Sequence, residues 1–166
     1  FVLSGSSARK LKRSKANLLA GRAWIFNLYP FTHIELGNLF LLETALSFGT
    51  LPVIYLENNQ KFLIRTLKSY VETYITEEIR AEALVRKVDA FMRFLPLAAD
   101  QNGQLLNYSS LARSTGLSLK SIQEYYQILE DTLLGFYLRP WIKSVSKRMM
   151  KHPKFYFFDT GVVRTL

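Results

Sequence analysis

Cations without acids are the first pattern in this chain that has chemical content. Arg9, Lys10, Lys12, Arg13, Lys15 and Arg22 fall within residues 1–22, and Arg139, Lys143, Lys147, Arg148, Lys151 and Lys154 within residues 139–154; neither stretch holds an Asp or Glu. The whole chain has 22 Lys plus Arg against 13 Asp plus Glu, a net charge of +9. The two stretches carry +12, which leaves the remainder at −3. Charge segregated in this way suits a polyanion, because each phosphate contact releases condensed counterions. Nucleic acid or a nucleotide phosphate is the functional reading, and a solvated basic surface is the plain alternative.

A second constellation lies between the two blocks, in residues 104–141. Leu105 and Leu106 lead to Asn107, a good helix N-cap, and a short helix is expected over Tyr108–Ser114. Thr115-Gly116-Leu117 reads as a turn, and Ser118 as the cap of a longer helix, Leu119–Leu134. Ala112, Gly116 and Ile122 have the spacing of a helix-turn-helix. A small residue lets the two helices approach, glycine supplies a positive φ at the turn, and an apolar side chain locks the second helix on the first. Leu111, Leu117, Tyr125 and Leu129 complete the inward face. Phe136–Trp141 alternates and reads as a strand, which turns the motif into a winged helix.

In that reading Arg113, Ser118, Lys120, Ser121, Gln123, Arg139, Lys143, Lys147 and Arg148 are the candidate DNA-contacting residues. Lys120 and Gln123 suit bases or phosphates, while Glu124 on the same exposed face repels phosphates. Contact through phosphates is therefore expected to outweigh base reading. Helix-turn-helix geometry also serves protein contacts, so a protein-interaction or oligomerisation module without DNA binding is the competing reading.

Other chemistries find no residues. The chain has no Cys and 2 His, which leaves no thiol chemistry and no zinc cluster. Neither a G-x-x-x-x-G-K-[ST] phosphate loop nor a G-x-S-x-G elbow occurs. His33 and Glu35 stand two apart, which fits neither a helical metal pair nor a triad, so His33 is expected in a turn or on the surface. Asp159 closes the apolar run Phe155–Phe158 and is expected to cap the turn where a strand stops. Catalytic and metal-ligating residues are expected to be none.

The elements that must hold these residues follow from periodicity. Phe1–Ser4 and the aromatic-rich Ala23–Tyr29 read as strands, with a basic helix-compatible stretch from Ser7 to Ala20 between them. Glu35–Phe48 has helical spacing up to Gly49, and Pro52–Asn59 reads as a connection. Phe62, Leu63, Leu67, Tyr70, Val71, Tyr74 and Ile75 recur at helical intervals. Val88–Ala99 is a further helix, with Phe91, Phe94, Leu95 and Ala98 inward and Pro96 expected to kink or break it; Asp100–Gly103 ends it. No apolar run is long enough to span a membrane. No basic leader precedes Phe1-Val2-Leu3, so the chain reads as the middle of a cytoplasmic protein.

Several stretches together resemble a bacterial and archaeal family of predicted AAA+-type P-loop ATPases, which carry a C-terminal winged helix and a restriction-endonuclease-like region. They are FVLSGSSARKL (Phe1–Leu11), NLLAGR (Asn17–Arg22), LYPFTHIEL (Leu28–Leu36), GTLP (Gly49–Pro52), SYVETYITEEIR (Ser69–Arg80), Asn102–Tyr108, Thr132–Pro140 and FYFFDTGV (Phe155–Val162). The resemblance implies a mainly α fold with short β elements (α+β). Residues 1–56 would be the remnant of an ATPase core, 57–100 a helical connector, 101–142 a winged helix-turn-helix, and 143–166 a basic segment opening the endonuclease-like region. It implies that Ser6 stands near the polar sensor position and Arg22 near the nucleotide or a subunit boundary. The phosphate loop and Mg²⁺-binding strand would precede Phe1, so this stretch is expected to bind no cofactor and turn over no ATP alone. ATP and Mg²⁺ are expected only for the full-length protein. DNA is the expected partner, a protein or a second copy of the chain the alternative, and no membrane is involved.

Overall fold

The computed structural model describes residues 2, 24, 26–75, 77, 79, 88–141 and 152–166. The chain there is mainly helical, with one small antiparallel sheet. The expected strand Phe1–Ser4 and the basic stretch Ser7–Ala20 lie outside the described residues, apart from Val2. The expected strand Ala23–Tyr29 is not found: Trp24 and Phe26–Tyr29 have no regular structure and lie exposed. An aromatic-rich composition favours a strand but does not supply the partner whose hydrogen bonds define one.

Thr32 opens α1 (His33–Leu36) through a capping box with Glu35. The Thr32 backbone N–H, and then its hydroxyl, hold the Glu35 carboxyl below the usual carboxylate range. The expected single helix over Glu35–Phe48 is instead α1, a 3₁₀ turn (Gly37–Leu39) and α2 (Leu42–Phe48), because Gly37 at φ +50° stops α1. Gly49 caps α2 as expected. Pro52–Asn59 is not simply a connection, since Pro52 occupies the first turn of α3 (Pro52–Tyr55), where its missing N–H costs nothing. The helical spacing after Lys61 becomes α4 (Gln60–Ser69), which runs into a π-helical segment (Tyr70–Ile75).

α5 (Val88–Asp100) passes through Pro96 without interruption. Phe91, Phe94, Leu95, Ala98 and Ala99 are buried on both sides of the exposed proline, and that burial holds the two halves together. α6 (Tyr108–Thr115) is capped by Asn107, whose side chain accepts from Ser110 N at 3.0 Å. α7 (Leu119–Asp131) is capped by Ser118, which accepts from Ser121 N at 3.0 Å. It ends three residues earlier than its spacing suggests. Leu133 takes φ +61°, and Leu134 N donates to Leu129 O at 2.8 Å, which turns the chain out of the helix.

The expected strand over Phe136–Trp141 is β1 (Gly135–Leu138). It pairs antiparallel with β2 (Lys154–Phe157), Gly135 opposite Phe157 and Leu138 opposite Lys154. Leu105 makes an isolated antiparallel bridge to Lys154. α8 (Thr160–Thr165) follows and packs on α2.

The core gathers around Tyr126. Its ring meets Phe94 of α5 at 5.1 Å and 87° and Phe155 of β2 at 5.0 Å and 69°. Tyr108 of α6 and Tyr137 of β1 stand 6.0 and 6.4 Å away. A smaller cluster of Ile54, Leu63 and Leu67 joins the main one through Leu51.

Asp159 does more than end a strand. It is buried at 4% exposure, and its Oδ1 accepts from Val162 N at 3.1 Å, capping α8. Its Oδ2 accepts from Thr50 N at 2.7 Å, 109 residues away in sequence. Gly49, at φ +80°, lies so close to this carboxylate that a Cβ would overlap it. Burial pushes the Asp159 carboxyl above its usual range, while the backbone N–H groups of Thr50, Val162, Gly161 and Leu51 pull it back down.

Four outcomes are expected. Gly116 has φ +68° with open space where a Cβ would sit, so Gly116→Val brings backbone strain rather than a clash. Thermal melting should show a loss of about 1–3 kcal/mol. Tyr126 Oη is buried without a hydrogen-bond partner among the described residues, so Tyr126→Phe should hold or raise the melting temperature, whereas a clear loss would reveal a partner. Asp159→Ala should cost about 1–3 kcal/mol, because it strips a cap and leaves Thr50 N unpaired. The raised folded value means that the native chain keeps a proton the unfolded chain loses near pH 3.9. The stability contributed by this group is therefore greatest below that pH and falls as pH rises through the folded value. Melting temperatures of wild type and Asp159→Asn, compared across that window, should shift in favour of the Asn variant as pH rises.

Candidate nucleic-acid interface

The caps just described place the candidate side chains. Arg113 lies in the last turn of α6, exposed. Gly116 then takes a left-handed conformation and Ser118 opens α7. Because Ile122, Tyr125, Tyr126, Ile128 and Leu129 face inward, Lys120, Gln123, Glu124 and Gln127 face out, and Ser121 is half-buried.

Local partners occupy much of this polar face. Ser118 Oγ and Ser121 Oγ are 2.9 Å apart, so both hydroxyls are engaged in the cap. Lys120 Nζ lies 3.9 Å from Glu124 Oε1, an exposed i,i+4 pair of little energetic weight that still offsets the local charge. Gln127 Nε2 donates to Glu130 Oε2 at 3.2 Å and Asp131 Oδ1 at 3.0 Å. The outer face of α7 therefore runs from basic at its start to acidic at its end.

Arg139 follows β1 directly, exposed, with its guanidinium carbon 5.3 Å from the centre of the Tyr137 ring. Since α7 packs on both α6 and β1, Arg113, Lys120 and Arg139 belong to three connected elements. Ser6, Arg22, Lys143, Lys147 and Arg148 lie outside the described residues.

Proton-transfer chemistry has no support here. Burial, followed by the Tyr108 hydroxyl at 3.4 Å, pushes the Tyr137 phenol well above its ordinary value. Burial does the same to Tyr126, so both stay protonated at neutral pH. His33 is an exposed residue of α1, edge-on to Phe40 at 6.1 Å. Among the described residues no three His, Asp or Glu side chains stand together as a metal site. None of the described helices is long and apolar enough to cross a membrane.

Some features escaped the sequence reading. The bridge from Leu105 to Lys154 has no local signature, since one isolated residue shows no alternation. Phe157 N donates to Asn102 Oδ1 at 2.8 Å and Gly103 N to Phe155 O at 2.8 Å, so the turn after α5 also fixes β2. The Thr32–Glu35 capping box was available as T-x-x-E, a spacing of three that signals a helix start.

Comparison with known proteins extends beyond the geometry. "Uncharacterized protein Rv2008c" of Mycobacterium tuberculosis (strain ATCC 25618 / H37Rv) is 28% identical to the chain over 167 residues, covering 100% of the chain and 37% of its own length. "Uncharacterized protein Mb2031c" of Mycobacterium bovis (strain ATCC BAA-935 / AF2122/97) matches with the same identity and coverage. The chain thus spans 37% of the length of these relatives. No solved structure matches it significantly. The model of the family described as "Domain of unknown function (DUF8612)" matches residues 39–166, from the first 3₁₀ turn to the last helix, and the chain belongs to that family.

Proposed function

We propose that residues 88–157 form a winged helix-turn-helix that holds DNA chiefly through its phosphates. The observation that carries this reading is the order and pairing of elements. α5 leads to a one-residue strand at Leu105, then to α6 and α7 across a left-handed glycine, then to the antiparallel pair β1 and β2, and Leu105 bridges to β2. In this arrangement α7 is the recognition helix and the β1–β2 pair belongs to the wing. The acid-free cations Arg139, Lys143, Lys147, Arg148 and Lys151 fall in the sequence between β1 and β2.

Phosphates dominate for a physical reason. α7 offers only Lys120 as an exposed cation, already beside Glu124, and its far end is acidic. Arg113, Arg139 and the cations that follow Arg139 in the sequence supply more positive charge than α7 does, and charge without base-edge donors binds any sequence. The longer protein is proposed to be a P-loop ATPase of AAA+ type, in which ATP and Mg²⁺ act outside this stretch. The length of the relatives leaves room for such a domain.

A specific observation favours a second reading, in which the module docks protein. Trp24, Phe26, Leu28, Leu39, Leu41 and Leu42 are all more than half exposed, in one N-terminal stretch. A protein contact built on these would survive high salt, and a phosphate contact would not.

Fluorescence anisotropy with two unrelated duplexes separates the readings. Binding with dissociation constants of roughly 10⁻⁴–10⁻⁶ M at physiological salt, similar for both duplexes, is expected. With about four phosphates engaged, the slope of log K against log[salt] should be near −3.6. Lys147→Ala with Arg148→Ala should make the slope shallower by about two units. Glu124→Gln removes the carboxylate beside Lys120 and should strengthen binding to both duplexes. Absence of binding at low salt would overturn the DNA reading and favour the protein one.

A further inference from the structure

An open groove of about 560 Å³ lies between α5 and the end of α6 with the turn that follows it. Of its nine lining residues six are apolar, two carry hydroxyls, and one, Arg93, is charged. Phe94 belongs to the lining, and its ring meets Tyr125 at 5.3 Å and Tyr126 at 5.1 Å, so the groove opens directly on the main core. Leu97 of α5 and Leu117 of the turn contribute half-buried apolar walls. Leu117 N donates to Thr115 Oγ1 at 3.3 Å, which ties the turn wall to the end of α6.

The polar groups of this groove are one-sided. Ser114 Oγ donates to Ser110 O at 3.2 Å and Thr115 Oγ1 to Leu111 O at 2.8 Å, so both hydroxyl protons are committed inside α6. Arg93 is exposed and has no hydrogen bond or ion pair among the described residues, not even with Asp89 one turn earlier on α5. Its guanidinium N–H groups are therefore the spare side-chain donors of the groove. An occupant must bring an acceptor to Arg93 and apolar surface to the rest. One guanidinium matches one carboxylate in charge and offers it two parallel hydrogen bonds. A doubly charged phosphate would leave charge uncompensated against apolar walls. Charge complementarity therefore selects a carboxylate on an apolar body.

We infer that this groove docks a helical segment of a partner protein that carries Asp or Glu three or four residues from a large apolar side chain. Arg93 and Leu97 stand four residues apart, about 6 Å along the α5 axis. Side chains at i and i+3 or i+4 of a docked helix have a matching separation. Ligand pockets enclose most of a small molecule. This groove is open, with Arg93 and Pro96 exposed along it, so it covers one side of its occupant, which suits a helix whose other side is covered by its own protein. None of the lining residues is a candidate DNA contact or belongs to the exposed N-terminal stretch, so the inference stands apart from both readings of function.

The test selects a phage-displayed library of randomised helical dodecapeptides against the immobilised full chain, and measures the recovered peptides by fluorescence anisotropy. They should carry an acid three or four residues from a large apolar residue. Arg93→Gln should weaken their binding by about tenfold or more. Its melting temperature should match that of the wild type, because Arg93 has no partner to lose. Arg93→Glu should reverse the preference, so that lysine in place of the peptide's acid restores binding. Leu97→Ala should weaken binding and keep the preference for an acid. Arg164→Glu, which changes an exposed cation of α8 outside the groove, should leave affinity unaltered. Recovery of no peptide, of peptides without the acid, or of peptides that bind both Arg93 variants as tightly as the wild type would overturn the inference.

Discussion

The ring of Tyr126 is the constraint on which the rest of this structure depends. It is fully buried on α7 and touches α5 through Phe94, α6 through Tyr108, β1 through Tyr137 and β2 through Phe155. Edge-to-face pairs of this kind contribute about 0.5–1.5 kcal/mol each beyond the area they bury. They are also directional, so one ring contacting four elements sets their mutual angles. The sheet has only two four-residue strands and could not stand alone in water. It persists because Tyr137 and Phe155 on its inner side are held by that ring and by each other, 5.2 Å apart.

A second constraint ties the ends of the described region together. Asp159 caps α8 and holds Thr50, and the Thr160 hydroxyl donates to Ala45 O. The segment leading to α1 is fastened to the same point through Phe31 and Thr50. A buried carboxylate is costly unless backbone donors surround it, and here they do. The residues around β2 thus serve the sheet on one side and the N-terminal helices on the other.

The proposed function follows from a division of labour between charge and packing. Among the described residues the interior is aromatic and aliphatic with Asp159 as its one buried charged side chain, and Lys61, Arg65, Lys68, Arg93, Arg113, Lys120, Arg139 and Arg164 are exposed. The outer face of α7 is mixed in sign, which suits position-holding on a duplex better than reading bases. The chain spans 37% of the length of its mycobacterial relatives.

What the sequence determined alone was whatever acts within one helical turn. Asn107, Gly116 and Ser118 were legible as cap, turn and cap because each acts on backbone three or four residues away. The inward faces of α5 and α7 were legible because helical period alone decides which side chains share a side. Tertiary structure decided what depended on distant partners. Aromatic-rich Trp24 and Phe26–Tyr29 take no strand, while unpatterned Leu105 bridges to β2. Pro96 left α5 intact because apolar burial on both sides held it. Asp159 was readable as the end of a strand, but its bond to Thr50 was not. Local hydrogen bonds are encoded where they form, whereas a contact across 109 residues exists only after the core around Tyr126 has brought the two segments together.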